Sequence, residues 1–264
     1  FLLAALRPHI RDIDFFTFAT PTATRDVAIA RQVAAIAGVE HRALPYLQAT
    51  EQQQRGWHYR VGHTGTGANM TLHPSLAAIA NYSWFLGGLG GETGRGTYWR
   101  PADSETARLD AQAISPRFGM VQNDAVNDMV KTWLDPIRDL NPLTILDLAF
   151  IELRICAWGF SQYYADTTVP HLYPMIHREI FQLMLELSPQ AKREKSMISE
   201  GIAAVWPELL AVPFNRYGDY RDQLVKLKKL TDRRLIAKKL RQKLQEIDRS
   251  LRGDRGLRSW TPGL

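Results

Sequence analysis

Residues 13–47, IDFFTFATPTATRDVAIARQVAAIAGVEHRALPYL, contain the pattern that decides the fold class. The aromatic and β-branched run at 13–20 predicts a buried strand. The alanine- and isoleucine-rich stretch after it predicts a helix that ends at Gly38. HRALPYL at 41–47 predicts a second, weaker strand. Because parallel strands need a crossover connection, strand, helix and strand in this order predict a parallel α/β layer.

The same layer extends to both sides of this unit. FLLAAL at 1–6 predicts a short helix, LHPSLAAIANY at 72–82 predicts another, and YSWFLGG at 82–88 predicts a third strand. We therefore assign residues 1–103 to an α/β core.

The composition changes after the α/β core. Residues 104–218 contain helical blocks separated by prolines and no further convincing strand, so we predict an appended helical subdomain. Residues 219–264 form a third segment, which we expect to be a basic helical tail.

Composition bounds the class of protein. The chain has 264 residues, of which 45% are hydrophobic, and this is enough for a sizeable core. Its formal net charge is +6. It has no apolar run of the roughly 20 residues that a membrane span needs, so we expect no membrane partner. Its one cysteine, Cys156, excludes an internal disulfide and is typical of a cytoplasmic protein.

The basic tail leaves two interpretations open. Between Arg221 and Arg255 there are thirteen Lys or Arg residues and five Asp or Glu residues. Apolar residues recur at helical spacing among them, which favours a solvated helix docked along that stripe. The alternative is a contact with RNA or another polyanion. Because no aromatic residue is interleaved before Trp260, we expect that nucleic acid is not a partner.

The predicted third strand leads into an unusual run of glycines. Residues 82–99 read YSWFLGGLGGETGRGTYW, and six of the ten residues Gly87–Gly96, called the glycine run below, are glycine. Such a turn after a parallel strand often brings backbone N–H groups close to phosphate oxygens. Thr93 breaks the G-x-G-x-x-G pattern, and Thr97 stands where a Walker A motif has lysine. A loop with glycines only for tight turns remains the alternative.

The glycine run resembles the third-strand signature of the asparagine synthetase C-terminal domain, S-G-E-G-S-D-E-x-x-G-G-Y. Without gaps, GGLGGE at 87–92 aligns with S-G-E-G-S-D, and Gly96 and Tyr98 align with the later glycine and tyrosine. The stretch 16–41 is similar to the family's F-S-V-G-F, D-x-x-x-A and G-x-x-H segments. WPELLAVPFNRYG, ending at Gly218, resembles its phosphate-contacting stretch. Other amide-forming enzymes, including β-lactam synthetases and lasso-peptide cyclases, are more loosely similar.

This resemblance implies an adenine nucleotide alpha hydrolase-like (HUP-like) layer that binds ATP and Mg²⁺. It also implies asparagine-synthase-type ligase chemistry, in which a carboxylate is adenylated and a nitrogen nucleophile then forms the amide. We expect a small-molecule or peptide carboxylate as substrate and a separate glutaminase or other ammonia source. The residues that the resemblance assigns are Glu92 for magnesium and pyrophosphate, Arg216 for phosphate charge, Phe18 for adenine, and Gly88, Gly90 and Gly91 for phosphate.

Three departures from the family pattern accompany the resemblance. The S-G-G-x-D-S loop occurs nowhere in the sequence; since 1–6 resembles the helix that follows it, we expect that loop just before residue 1. In YPMIHRE at 173–179, His177 replaces the aspartate of P-F-L-D. The glutaminase domain with its catalytic cysteine is also absent. Two alternatives therefore stay open: a non-catalytic remnant that serves as an interaction module, and an RNA-modifying ATP-pyrophosphatase.

Overall fold

The computed structural model describes residues 1–21, 23–62, 70, 73–159, 161 and 169–231. By its contacts the chain divides into two compact units, Phe1–Ala211 and Val212–Leu264. The boundaries that the sequence predicts at 103 and 218 stay predictions.

The first unit begins with the predicted strand–helix–strand segment. Helix α1 (Leu2–Ala5) and a 3₁₀ turn lead to strand β1 (Phe15–Ala19), helix α2 (Thr24–Ala37) and strand β2 (His41–Pro45). The two strands pair in parallel, from Phe15 opposite His41 to Ala19 opposite Pro45. The helix ends at Gly38, whose φ of +67° is the left-handed conformation of a glycine cap. The parallel α/β character of this segment is therefore confirmed.

The predicted third strand forms, but as a short element in a separate sheet. Helix α3 (Glu51–Val61) and a 3₁₀ helix (His73–Ile79) precede strand β3 (Phe85–Leu86), which pairs in parallel with β4 (His171–Leu172). Within the described residues β3 does not pair with β1, so one continuous sheet is not observed. The sequence also predicts no strand after residue 104. That prediction is wrong at β4, because a two-residue strand is too short to produce an alternating pattern.

The rest of the first unit is mainly helical. Its helices are α4 (Ala111–Ile114), α5 (Asp124–Leu134), α6 (Pro142–Ala149), α7 (Arg178–Glu186), α8 (Pro189–Glu194) and α9 (Ser196–Val205). A π-helix, Phe150–Gly159, follows α6 directly. The core of this part is a cluster of buried residues that includes Ile114, Leu134 and Ile145.

The second unit contains helix α10 (Arg221–Thr231). Most of the predicted basic tail follows it and lies outside the described residues. None of the helices in the described part of the chain is both long enough and apolar enough to cross a membrane.

Candidate functional site

The glycine run begins where β3 ends. The Gly87 N–H still donates to the Leu172 carbonyl, at 3.0 Å, before the chain turns into a 3₁₀ helix, Gly91–Arg95. Gly90 has a φ of +98°, and a Cβ there would lie 3.1 Å from Ile176 Cγ1. The positive φ therefore favours glycine at this position, and a Cβ there would also be tightly packed.

Gly88 and Gly91 differ from Gly90. Neither has a positive φ. A Cβ on Gly88 would meet nothing within 4 Å, and one on Gly91 would be in ordinary contact, 3.7 Å from Met175 Cγ. The fold of the loop does not need glycine at these two positions, which leaves close approach to a ligand as a reason for them.

Glu92 binds the backbone of its own loop. Its Oε2 accepts a hydrogen bond from the Gly90 N–H at 3.1 Å, and its carbonyl accepts one from Thr97 Oγ1 at 3.0 Å. The Glu92 side chain is therefore half-buried, and its carboxylate is paired with a backbone amide. The same bond occupies one of the N–H groups that the sequence assigns to phosphate.

The fit of this site to magnesium is partial. No group of three or more His, Cys, Asp or Glu residues suited to a metal occurs among the residues that the structure describes. Mg²⁺ in nucleotide sites is commonly held by one or two carboxylates together with substrate phosphates and water. Glu92 could supply one of these carboxylates. His177, which stands at the aspartate position of the segment that resembles P-F-L-D, is exposed at the position before α7.

The inner side of the glycine run packs on the helical part. A Cβ on Gly94 would lie 2.6 Å from Met197 Cε, and one on Gly96, whose φ is +54°, would lie 2.4 Å from the Trp99 ring. Thr93 is completely buried, and its Oγ1 has no hydrogen-bond partner among the described residues. The glycine run is therefore tightly packed on this side, within the first unit.

A buried ion pair lies behind Trp99, and the sequence gives no local signal for it. Lys192 Nζ is 2.6 Å from Asp147 Oδ2, and both side chains are nearly inaccessible, at 2% and 3%. The same ammonium is 5.4 Å from the centre of the Trp99 ring. Burial raises the pKa of Asp147 to about 6, although the neighbouring ammonium opposes this rise. Because the partners are 45 residues apart, no spacing rule connects them.

The glycine run also contacts the segment that resembles P-F-L-D. A Cβ on Gly87 would lie 2.3 Å from the Tyr173 ring, and one on Gly90 would lie 3.2 Å from the Met175 carbonyl. Two stretches that resemble the same family from distant parts of the sequence are thus neighbours in the fold.

The remaining predicted residues lie elsewhere. Phe18 is near the carboxyl end of β1, where its side chain packs against a cluster that includes Leu44 and Ile79. Its carbonyl accepts a hydrogen bond from the Thr20 N–H at 2.9 Å. Arg216 is exposed and belongs to the second unit.

A cavity of about 580 Å³ adjoins both small sheets. It is lined by the apolar residues of α1, by Ile13–Phe16 and by Ser83–Leu86. The rings of Phe16 and Phe85 are in contact, with centroids 5.9 Å apart. We call this space the interstrand groove.

Both strands that line the interstrand groove pair on one side only, as far as the described residues show. The Phe85 N–H donates to the Pro170 carbonyl at 2.9 Å and the Gly87 N–H donates to β4. Since backbone groups alternate in direction along a strand, the N–H and C=O of Leu86 are directed away from β4. In the described part of the chain β1 pairs with β2 alone.

A polar cluster joins the amino ends of the same strands. The Tyr82 hydroxyl donates to Asp14, and Arg42 Nη1 donates to the Tyr82 hydroxyl at 2.7 Å. The hydrogen bond to Asp14 raises the pKa of Tyr82. This cluster links the start of β1 to the segment just before β3 across the interstrand groove.

No protein-family model matches the chain, and neither a curated protein nor a solved structure is significantly similar to it.

Proposed function

We propose that this chain belongs to an asparagine-synthetase-like enzyme that forms an amide bond from ATP through an acyl-adenylate. The observation that carries the proposal is the position of the glycine run. It follows the carboxyl end of a parallel strand and lies against the segment that resembles P-F-L-D. Ligands of open α/β sheets bind outside the carboxyl ends of the strands. Phe18 and Gly88 are both near such ends.

The interstrand groove supports a HUP-like layer for this chain. Among the described residues there are two sheets of two strands each, and β1 and β3 both line the groove. One additional parallel strand between them would use both available edges and join the sheets, with β1 and β3 then about 10 Å apart, twice the strand spacing. A strand that precedes α1 and leads through it to β1 would complete a right-handed crossover unit. In the family, that strand precedes the S-G-G-x-D-S loop.

The proposed chemistry requires activation of a carboxylate. A carboxylate oxygen of the substrate attacks the α-phosphorus of ATP, the bond to the β-phosphate oxygen breaks, and pyrophosphate leaves. A nitrogen nucleophile then attacks the acyl carbon, releases AMP and loses a proton. Backbone N–H groups of the glycine run would stabilise the charge that grows on the leaving pyrophosphate. Bound Mg²⁺ would supply neutralisation of the same charge.

The hydrogen bond between Glu92 and Gly90 has a consequence for this proposal. The Gly90 N–H can reach a phosphate oxygen only after the Glu92 carboxylate has left it. We therefore propose that binding of the nucleotide with magnesium exchanges this bond for two others. The Gly90 amide would then donate to phosphate, and the Glu92 carboxylate would help to hold Mg²⁺.

The test is ATP–pyrophosphate exchange by a protein that carries residues 1–264 together with the S-G-G-x-D-S segment that this proposal places before them, called the full-length protein below. Glu92→Gln removes the charge that binds the cation but keeps an oxygen that can accept from Gly90. We expect exchange to fall by about 10²-fold, or about 2.7 kcal/mol. The melting temperature should hardly change. Glu51→Gln, an exposed carboxylate on α3, is the matched control and should exchange normally.

Residues 1–264 by themselves provide a second comparison. We expect them to bind ATP weakly and to catalyse no exchange, because this sequence lacks the S-G-G-x-D-S loop. Robust exchange by this segment would contradict that expectation. Equal rates for wild type and Glu92→Gln would show that Glu92 only closes a turn. A full-length protein that neither binds ATP nor exchanges pyrophosphate would favour the alternative, a non-catalytic interaction module.

A further inference from the structure

A second cavity of the first unit lies among the helices. It has a volume of about 890 Å³ and is lined by residues 106–112, by one face of α5, by the turn after α5 and by the start of α6. No residue of the glycine run lines it. We call it the helical cavity.

The helical cavity has an apolar floor. Leu134 and Ile145 are buried there, at 7% and 2% exposure, and the half-buried Leu109 and Pro142 adjoin them. Ligand sites typically combine such a surface with a few polar groups in a volume of roughly 300–1,000 Å³. The helical cavity has the size and the lining of such a site.

Some of the charged groups around the cavity are already engaged. Arg138 Nη2 is 2.6 Å from Asp135 Oδ1, so this pair is internally neutralised. Asp110 Oδ1 accepts a hydrogen bond from the Ala113 N–H at 2.7 Å and thereby caps α4. These three side chains are therefore not the first choice for a ligand.

Three other charged groups have no such engagement. Within the part of the chain that the structure describes, the charged ends of Arg108, Asp128 and Lys131 form neither an ion pair nor a hydrogen bond. Asp128 and Lys131 are three residues apart on α5, which makes them neighbours on one face of the helix. Arg108 comes from the segment before α4. Two cations and one carboxylate thus surround the apolar floor.

We propose that the helical cavity binds an α-amino acid unit with a large apolar side chain, either free or as a short peptide. The ligand carboxylate lies between Arg108 and Lys131, and its ammonium group pairs with Asp128. The apolar side chain covers Leu134 and Ile145. The two cations match one ligand carboxylate, and Asp128 repels a second negative charge. A zwitterion is therefore favoured over a dianion as the ligand. This site does not depend on the proposed enzymatic function.

The experiment is a titration of the protein with small-molecule probes, measured by isothermal titration calorimetry and by ligand-observed NMR. The probes are L-leucine and L-leucyl-L-leucine, which distinguish the free amino acid from the peptide. N-acetyl-leucine lacks the ammonium group, and leucinamide lacks the carboxylate. We expect one or both of the first two probes to bind, and the two blocked probes to bind at least about tenfold more weakly, a loss of about 1.4 kcal/mol each.

Charge variants identify the site. Arg108→Gln, Lys131→Gln and Asp128→Asn should each weaken binding of the preferred probe by about tenfold or more. Their melting temperatures should stay close to that of wild type, because these side chains are exposed. Arg55→Gln removes an exposed cation on α3, away from the cavity, and should bind the probe normally.

A steric variant tests the same site without changing its charge. Ala107 lines the cavity and is half-buried, so Ala107→Trp would fill part of the volume and should abolish binding. The proposal is overturned if wild type binds neither leucine nor leucyl-leucine at about 10 mM. It is also overturned if the blocked probes bind equally well, or if the cavity variants bind like Arg55→Gln.

Discussion

At Gly90 the chain adopts a conformation that an L-residue with a side chain rarely accepts. With φ at +98° and Ile176 Cγ1 only 3.1 Å from the position of a Cβ, Gly90→Ala should destabilise the protein by at least about 1–2 kcal/mol. Gly91→Ala, which has neither problem, should stay within about 0.5 kcal/mol of wild type. Urea unfolding monitored by circular dichroism measures both values. Gly88→Ala, in open space, is the matched control.

The two substitutions also separate folding from ligand binding. If phosphate lies close to the backbone, Gly91→Ala in the full-length protein should weaken ATP binding by about tenfold, while the stability of the variant stays unchanged. Normal stability together with normal affinity in Gly91→Ala would show that no phosphate lies beside this residue. Equal losses of stability in Gly90→Ala and Gly91→Ala would contradict the backbone argument itself.

Asp103 provides a test of pH dependence. Burial alone would raise the pKa of its carboxyl, but hydrogen bonds from Arg117 and from the Arg100 N–H outweigh this effect and lower the pKa below 3.8. The Arg117 pair is bidentate, at 2.5 and 2.8 Å, and both side chains are 8% exposed. Because the folded pKa is depressed, this group stabilises the fold above its unfolded pKa, and the contribution is lost as pH falls through the folded pKa.

Asp103→Asn should therefore be costly at neutral pH and less costly in acid. Removal of one partner of a buried pair costs about 3–5 kcal/mol, so we expect a loss in this range at about pH 7. The difference from wild type should shrink as pH is lowered below about 4. Urea unfolding of wild type and Asp103→Asn, from about pH 7 to below about pH 4, measures this difference in the free energy of unfolding. A difference that is independent of pH would mean that the carboxylate charge does not contribute.

At the scale of elements, a buried ion pair joins α8 to α6 beside Trp99, which follows the glycine run. Lys192→Met leaves the Asp147 carboxylate buried beside Trp99 without its cation, so we expect a loss of about 3–5 kcal/mol. The double variant Lys192→Met with Asp147→Leu should recover most of that loss, because it removes both charges together. A double-mutant cycle measured by urea unfolding gives the coupling. If the double variant loses as much as the sum of the two single variants, the pair is not coupled.

The elements also show which parts of a fold a sequence can predict. β1, α2 and β2 were predictable, because each has its own local pattern and Gly38 marks the helix end. β4 was not, because it has two residues and forms only where β3 offers an edge. The candidate site likewise has features that the sequence shows and features that it does not. The glycines after β3 were visible in the sequence, whereas the bond from Gly90 to Glu92 depends on a turn conformation that composition does not fix.

At the scale of the whole molecule, we consider whether the β1–β2 sheet and the β3–β4 sheet are two parts of one larger parallel sheet. Both β1 and β3 line the interstrand groove, while Asp14 and Tyr82 hold their amino ends together. In the described part of the chain, β1 pairs with β2 alone and β3 with β4 alone. The additional strand that we propose would pair with β1 and β3 at these edges and join the two sheets.

Amide hydrogen exchange along β3 tests this directly in residues 1–264. The Phe85 and Gly87 N–H groups donate to carbonyls on the β4 side, at 2.9 and 3.0 Å, so both should be protected. The Leu86 N–H is directed toward the interstrand groove and should exchange at least about tenfold faster, the effect of one missing hydrogen bond. NMR exchange measurements give the three rates. If Leu86 is as protected as its two neighbours, its edge of β3 is already covered, and the groove does not receive a strand.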